Sequence, residues 1–215
     1  MIIKICGITK PNQALAIAQM GVDYLGYICV PASPRFINPE QVAEITDILQ
    51  DYKLGHVGVF LDADMAKIAA YIEIANINSI QLHGNESVEF CQELRSEFPE
   101  IKLIKAFRVK NQQILSEVIS YANHVDVVLL DAYDPQLAGG TGKTLDWSML
   151  QDFSPSCDWW LAGGLSCQNI EAAIAQLQPN GVDISSGVEN SPGDKNLDQV
   201  RDLIKLLTFK IFAAN

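Results

Sequence analysis

A thiol and a carboxyl group at the ends of two predicted strands could together move protons. Cys6 closes the run IIKIC, and Asp131 follows the apolar run VDVVLL. Desolvation beside so apolar a strand favours the protonated form of a carboxyl group, and a thiolate can accept a proton. Each residue also has a structural interpretation, since a free Cys is usually a small buried side chain and an Asp often lies in a turn. If both are functional, they predict general acid–base chemistry.

Two glycine-rich turns have the composition of a phosphate site. LAGGL contains Gly163 and Gly164, and DISSGVE contains Ser185, Ser186 and Gly187. Glycine lets backbone N–H groups approach an anion, and serine hydroxyls add hydrogen-bond donors. Because the net charge is −11, local N–H dipoles and cations must hold an anion against the overall field of the protein.

Three further polar side chains are candidates for contact with a substrate. Arg35, in ASPRFINPE, could bind a carboxylate through two parallel hydrogen bonds, or it could be solvated at the surface. Gln81 and His83 close the fourth predicted strand and share one side of it. His83 could bind a substrate or pair with a neighbour in the core.

The fragment GTGKT resembles the end of a P-loop but lacks its spacing. The P-loop glycine that precedes Gly142 by five residues is replaced by Leu137. The long irregular stretch after Asp131, YDPQLAGGTGKTLDW, is instead typical of a loop that covers a site, and a helix is predicted to begin near Asp146. A nucleotide hydrolase is therefore disfavoured. The five cysteines contain no C-x-x-C and the three histidines no H-x-x-x-H, so we also expect no disulfide framework and no protein-built metal centre.

These candidates lie on an alternating series of predicted strands and helices. Eight units in 215 residues leave about 27 residues for each, which predicts a parallel α/β fold, a single eight-stranded (β/α)8 TIM barrel. A doubly wound open sheet is the main alternative. The strands are predicted at 2–6, 24–28, 56–60, 79–83, 102–107, 125–130, 159–162 and 182–185, and the helices at 11–20, 40–50, 64–75, 86–97, 111–121, 146–151, 167–176 and 196–207.

A barrel would bring the candidates together, because its active site forms from the loops after the strands and its phosphate site often follows strands seven and eight. Alternation along the first strand places Cys6 and Lys4 on one side, with Ile3 and Ile5 facing the helices. Lys4 and Lys105 could lie inside the barrel, where each would need a partner.

Length and charge predict one domain over residues 1–215 of a cytoplasmic protein. The excess of 26 Asp and Glu over 15 Lys and Arg argues against nucleic acid and anionic membranes as partners. Apolar runs such as 127–130 are too short to span a membrane, and MIIKICGITK lacks the pattern of a signal peptide.

Seven motifs occur in one order between residues 4 and 189: KICGIT, SPRF, QLHG, LLDA, GGTGKTLDW, LAGGL and GVDISSGVE. In this combination the sequence resembles the phosphoribosylanthranilate isomerase family of tryptophan biosynthesis. The resemblance implies a monofunctional (β/α)8 barrel, without metal or organic cofactor. Its reaction would be the Amadori rearrangement of N-(5-phosphoribosyl)anthranilate to 1-(2-carboxyphenylamino)-1-deoxyribulose 5-phosphate.

The resemblance also implies a role for each candidate. Asp131 would be the general acid that opens the furanose ring, and Cys6, as thiolate, the general base that removes the C2′ proton. Since a free thiol has a pKa of ~8.5, we expect its surroundings, with Lys4 as a candidate, to lower the pKa of Cys6. Arg35 would meet the anthranilate carboxylate. The other implied substrate-binding residues are Gln81, His83, Gly140 in the covering loop, Gly163, Gly164, Ser185, Ser186 and Gly187.

The sequence departs from the family pattern at Cys29, Ala32 and Leu145, where an aromatic residue, a lysine and a phenylalanine are common. These changes leave the acid–base pair intact and affect the contacts of the second loop. We expect a small-molecule partner and a monomer or homodimer. Two alternatives remain: another phosphosugar isomerase or epimerase, which would use two carboxylates and commonly a metal, and a catalytically silent phosphosugar-binding protein.

Overall fold

Eight parallel strands close into a barrel in their order along the chain, with β1 hydrogen-bonded to both β2 and β8. The computed structural model describes residues 1–109, 113–131, 147–150 and 153–213, without the side chains of 148 and 209–213. The predicted TIM barrel is thereby confirmed, and the open sheet is not formed. The strands are β1 Ile2–Cys6, β2 Tyr24–Ile28, β3 Gly55–Phe60, β4 Ser79–Leu82, β5 Lys102–Arg108, β6 Val127–Asp131, β7 Asp158–Ala162 and β8 Gly181–Ile184.

Helices cover the outside of the barrel, and local capping chemistry explains where several of them begin. Asn38 accepts a hydrogen bond from the backbone of Gln41 in a capping box, and the side chains of Asp64 and Ser87 cap the next two helices. The helices are α1 Pro11–Gln19, α2 Pro39–Ile48, α3 Met65–Ala75, α4 Val88–Glu97, α5 Gln113–Tyr121, α6 Ile170–Leu177 and α7 Leu197–Ala213.

One predicted helix is wrong in type. Where the sequence predicted a helix over 146–151, the structure describes a single 3-10 turn, Trp147–Leu150. The predicted N-cap, Asp146, lies outside the described residues. Trp147 and Leu150 are both buried, and because a single turn suffices to bury them, the segment needs no longer helix to place its apolar side chains.

Side-chain alternation separates two apolar clusters. Cys6, Val57, Leu129 and other inward residues fill the barrel, whereas Ile3 and its outward neighbours pack beneath the helices. The predicted orientation of β1 is therefore confirmed. No helix in the described parts of the chain is both long and apolar enough to span a bilayer.

A small hairpin follows the barrel and was not predicted. It consists of β9 Glu189–Ser191 and β10 Asp194–Lys195, which pair antiparallel after a 3-10 turn, Ser186–Val188. The side chain of Gln13 in α1 binds both the carbonyl oxygen and the N–H of Lys195, each at 3.0 Å. The hairpin is thus held against the first βα unit, beside the carboxyl ends of the strands.

Candidate active site

A cavity of about 290 Å³ opens at the carboxyl end of the barrel. Ten of the eleven site residues predicted from the sequence line it, and the eleventh, Gly140, lies outside the described residues. They come from the ends of six strands or the loops after them, which parallel closure brings to one place. The ten are Cys6, Arg35, Gln81, His83, Asp131, Gly163, Gly164, Ser185, Ser186 and Gly187.

The Cys6 thiol lies at the floor of this cavity and is 5% exposed. Burial raises the pKa of Cys6 above its ordinary value, and the nearby charges of Lys4 and Lys195 offset this only in part. The expectation of a lowered pKa is therefore wrong. The charge of Lys4 lowers the pKa of Cys6, as predicted, but desolvation of the thiolate raises that pKa by more.

Lys4, which lies inside the barrel on the same side of β1 as Cys6, forms a network of hydrogen bonds. Nζ of Lys4 donates to Oε1 of Gln81 and to Oδ2 of Asp183, each at 2.8 Å. Lys4 is fully buried, so both acceptors are needed to offset its desolvation. Gln81 thus lines the cavity but uses its carbonyl oxygen inside the protein, and Lys4 has the partners that its inward position requires.

Lys105, in contrast, does not enter the barrel. It lies on the outward side of β5, where its Nζ is 3.1 Å from a carboxylate oxygen of Glu86 and donates to the carbonyl of Gly84 at 2.8 Å. Alternation explains the difference, since Ile104 and Ala106 on either side of it belong to the inner cluster.

Asp131 and His83 face each other across the cavity mouth. Oδ2 of Asp131 lies 3.7 Å from Nε2 of His83, which is beyond ordinary hydrogen-bond distance, and each side chain is 24% exposed. Burial, aided by the positive charge of Arg108, lowers the pKa of His83 to about 4. The imidazole is therefore neutral near pH 7. It does not stabilise the ionised carboxylate of Asp131 by charge.

Arg35 crosses the loop after β1 and is held by a carboxylate of the protein itself. Its Nε donates to Oε1 of Glu189 at 3.0 Å and its Nη2 to Oε2 at 2.6 Å. A Cβ added to Gly7, which has φ +79°, would lie 2.8 Å from Cδ of Arg35. Arg35 is thus in the cavity wall, and the solvated surface position is excluded.

The two glycine-rich turns lie side by side, as a phosphate site requires. Gly163 and Gly164 have φ of +94° and +62°, the left-handed region that glycine adopts without strain. A Cβ on Gly187 would lie 1.9 Å from the carbonyl oxygen of Leu165, so glycine alone fits where the turn after β8 meets the turn after β7. At the start of the 3-10 turn Ser186–Val188, the first N–H groups have no acceptor within the turn and can bind an anion.

Sequence reasoning missed several residues of this site: Gly26, Asp183, Glu189 and Lys195. The signal for Asp183 was a charged residue in a strand, on the same side as Gly181 and Ser185. Glu189 and Lys195 gave no local signal, because their partners lie far along the chain. Among the described residues, no three His, Cys, Asp or Glu side chains converge as ligands of a metal ion.

Gly26 of β2 sets the position of the thiol. A Cβ at Gly26 would lie 2.7 Å from Sγ of Cys6 and 3.0 Å from Cε of Lys4. If the Cys6 thiol is the base that the resemblance implies, Gly26→Ala should lower kcat by about 100-fold, because a reacting atom moved by ~1 Å loses its alignment. Steady-state kinetics measures this loss.

Gly58→Ala is the matched control for Gly26→Ala. Its Cβ would meet Ile77 and Phe60 at 2.7 and 2.8 Å on the outward side of β3. We expect a free energy of unfolding lower by about 1–3 kcal/mol with kcat retained. Equal losses of kcat in the two variants would show that crowding of the barrel, rather than the thiol position, is responsible.

Comparisons with known proteins agree with this geometry. A sequence model of the family described as N-(5'phosphoribosyl)anthranilate (PRA) isomerase matches residues 3–206. A relative from Rippkaea orientalis, named N-(5'-phosphoribosyl)anthranilate isomerase, is 48% identical over 207 residues, 96% of this chain and 96% of its own. The solved phosphoribosyl anthranilate isomerase of Thermotoga maritima has a TM-score of 0.88 at 35% identity, covering 97% of this chain and 100% of its own.

A second solved structure, of a phosphoribosyl anthranilate isomerase in complex with reduced 1-(o-carboxyphenylamino)-1-deoxyribulose 5-phosphate, has a TM-score of 0.84 at 32% identity. It covers 97% of this chain and 100% of its own. The resemblance indicated by the seven motifs is thus confirmed over nearly the whole chain. The chain therefore belongs to the N-(5'-phosphoribosyl)anthranilate isomerase family and is an isomerase of tryptophan biosynthesis.

Proposed function

We propose that this chain converts N-(5-phosphoribosyl)anthranilate into 1-(2-carboxyphenylamino)-1-deoxyribulose 5-phosphate, with Asp131 as general acid and Cys6 as general base. The observation that carries the proposal is the shared cavity: a thiol, a carboxyl group, an arginine and two phosphate-type turns line the same space. An aminoaldose that bears a phosphate at one end and a benzoate at the other matches these groups in number and charge.

The two ends of the substrate are held first. The phosphate binds at the turns of Gly163–Gly164 and Ser185–Gly187, where N–H groups and hydroxyls supply donors. The anthranilate carboxylate binds the guanidinium of Arg35. Holding both ends fixes the ribose between Cys6 and Asp131, so the proton transfers become effectively intramolecular.

Asp131 acts first, from its protonated form. It donates its proton to the furanose ring oxygen, the bond between C1′ and that oxygen breaks, and the anilino nitrogen supplies the electron pair that forms a cationic Schiff base. The Cys6 thiolate then removes the C2′ proton, and the C–H electrons neutralise the cation to give an enolamine. The enolamine tautomerises to the ketone. No step uses a metal or an organic cofactor.

The raised pKa of Cys6 has a consequence for this order of events. Before the Schiff base forms, the thiol form dominates at neutral pH, because burial outweighs the charge of Lys4. When the cationic Schiff base forms beside Sγ, the thiol releases its proton to water at the open mouth of the cavity, and Coulomb attraction to the cation stabilises the resulting thiolate. The base is therefore activated by the intermediate on which it acts.

The burial of Cys6 determines how its thiol titrates in the free protein. Since burial raises the pKa, we expect the thiolate to form with a midpoint above the ~8.5 of an ordinary thiol. The thiolate absorbs in the ultraviolet, so the difference between the titrations of the wild type and Cys6→Ser isolates this group from the other four cysteines. A midpoint below ~8.5 would contradict the stated balance between burial and Lys4.

An isomerase assay on the purified chain tests the function. The labile aminoaldose is generated in situ from anthranilate and phosphoribosyl pyrophosphate by a transferase, with a chelator present. We expect turnover under these conditions. A chain that binds the reduced product analogue but gives no turnover would instead be a silent phosphosugar-binding protein. Turnover that requires an added metal would favour the epimerase-type alternative.

We also propose that residues 1–215 act as one domain, with the phosphosugar as their small-molecule partner. The protein is a monomer or a homodimer. Light scattering on the purified chain distinguishes the two assemblies.

A further inference from the structure

Arg35 belongs to a buried ionic cluster beside the cavity, and its two partners there, Glu189 and Lys195, take part in no step of the mechanism above. Glu189 accepts hydrogen bonds from Nη2 of Arg35 at 2.6 Å and from Nζ of Lys195 at 2.8 Å. The exposed fraction of the Glu189 side chain is 3%, and that of Lys195 is 0%. Burying these charges carries a desolvation cost that apolar residues would avoid, so stability alone does not explain the cluster.

The hydrogen bonds leave one edge of the Arg35 guanidinium available. Nε and Nη2 form one edge, and Glu189 occupies it with both carboxylate oxygens. The other edge consists of Nη1 and the second N–H of Nη2, and within the described parts of the chain Nη1 of Arg35 has no acceptor. A guanidinium has five N–H donors in a planar fork, so it can bind two carboxylates at once.

The charges of the cluster also leave room for one more anion. Burial alone would raise the pKa of Glu189, but hydrogen bonds from Arg35 and Lys195 outweigh burial and hold the pKa below its ordinary value. Glu189 is therefore a carboxylate near neutral pH. Burial lowers the pKa of Lys195, and its hydrogen bond to Glu189 opposes that shift. With Arg35 and Lys195 both protonated, the cluster has a net charge of +1, which a second carboxylate would neutralise.

The hairpin β9–β10 connects this cluster to the rest of the site. Nζ of Lys195 also donates to the carbonyl oxygen of Ser185, in the phosphate turn, at 3.2 Å. Thr9, three residues after Cys6, donates through its hydroxyl to the carbonyl oxygen of Gly193 at 2.6 Å. The distance of Arg35 from both the phosphate turn and the thiol is thus set by the same small element.

We propose that Glu189 is a positioning residue: it holds one edge of Arg35, with Lys195 as its anchor, so that the other edge meets the carboxylate on the aromatic ring of the substrate. This inference rests on the proposed function, through the role given there to Arg35. It makes the hairpin part of the device that recognises the substrate. The carboxylate site is then formed before the substrate arrives.

The test compares two ligands in wild type and Glu189→Gln. One ligand is reduced 1-(o-carboxyphenylamino)-1-deoxyribulose 5-phosphate, and the other is the same compound without the carboxylate. We expect Glu189→Gln to weaken binding of the first by about 10- to 100-fold, the usual loss when a group that orients a binding side chain is removed. Binding of the second should change by less than about threefold, and the loss in kcat/KM should fall mainly on KM.

Two more variants separate positioning from folding. Asp194→Asn is the matched control, because this carboxylate in the same hairpin pairs with Lys10 and Gln13 rather than with Arg35. The ratio of the affinities for the carboxylate-bearing ligand and for the ligand without the carboxylate should be the same in Asp194→Asn as in the wild type. Glu189→Asp keeps the charge beside Lys195 but withdraws the carboxylate from Arg35, so it should show a smaller loss of the same kind if Glu189→Gln does not fold.

The outcomes are distinct. The positioning role would be overturned if Glu189→Gln and Glu189→Asp lost affinity equally for both ligands, or lost none. It would also be overturned if Glu189→Gln weakened binding of the carboxylate-bearing ligand as much in an Arg35→Met background as in the wild type. A wild-type enzyme that turns over its substrate without preferring the carboxylate-bearing ligand would overturn both this inference and the role of Arg35. An inactive wild type that still shows the expected affinity ratios would overturn the proposed reaction and leave the positioning role standing.

Discussion

Cys6→Ser is expected to lower kcat at least ~100-fold, while the protein keeps its fold and its affinity for the reduced product analogue. Serine nearly matches the size of cysteine, so the cavity floor keeps its shape. Its hydroxyl is a far weaker acid than a thiol, so the anionic base becomes inaccessible even beside a cationic Schiff base. Single-turnover kinetics after in situ generation of the substrate measures the chemical step without product release.

Cys91→Ser is the matched control for this substitution. Cys91 is buried like Cys6, with 0% of the residue exposed against 5%, but it lies in α4 and packs in the outer cluster. The same exchange of sulfur for oxygen there should lower the free energy of unfolding and leave kcat unchanged. A Cys6→Ser enzyme with wild-type kcat would remove the thiol from the mechanism and leave the family assignment intact.

Asp131→Asn is expected to have an effect of similar size, with kcat reduced at least ~100-fold. Asparagine preserves the shape of the side chain at the end of β6 but has no acidic proton to give to the ring oxygen. The neutral His83 beside it cannot replace the acid, because a pKa of about 4 leaves the acidic imidazolium form scarcely populated near pH 7. Ring opening should therefore limit the rate, and binding of the ring-opened product analogue should change little.

The opposite end of the same strand offers a control. Asp126, just before β6, accepts hydrogen bonds from the backbone of Leu103 at 2.7 Å and from Arg95 at 2.5 Å. Asp126→Asn should lower stability without changing kcat, because the face at the amino ends of barrel strands carries stability rather than chemistry. Comparable kcat losses in both Asp variants would contradict an acid role specific to Asp131.

Much of the fold and of the cavity wall was predictable because the signals are local. Alternation of strand and helix specifies a parallel sheet, and the number of units specifies a barrel. The period of two along β1 then places Cys6 inside. Since all parallel strands end at one face, residues such as Asp131 and Gly163, distant in sequence, were expected around one cavity before any contact was known.

Other properties depend on pairs that no local pattern contains. Lys4 and Asp183 are 179 positions apart, and Arg35 and Glu189 are 154 positions apart, yet each pair forms direct hydrogen bonds. The sequence showed Arg35 as a cation able to bind a carboxylate, but the tertiary structure decided that one edge of it is already held. The closing hairpin escaped prediction because its strands are two and three residues long.

The difference between local sequence signals and tertiary packing also explains the one electrostatic prediction that is wrong, the lowered pKa of Cys6. The sequence placed a lysine two residues before Cys6 on the same side, and attraction alone predicts a lowered thiol pKa. Desolvation is a property of everything packed around a group, including Gly26 and the fully closed barrel below it, so its size follows from burial and not from neighbours in the chain. The sequence by itself therefore determined the barrel, its active face and which groups meet there. Only the tertiary structure decided how those groups are paired and which of their protonation states burial favours.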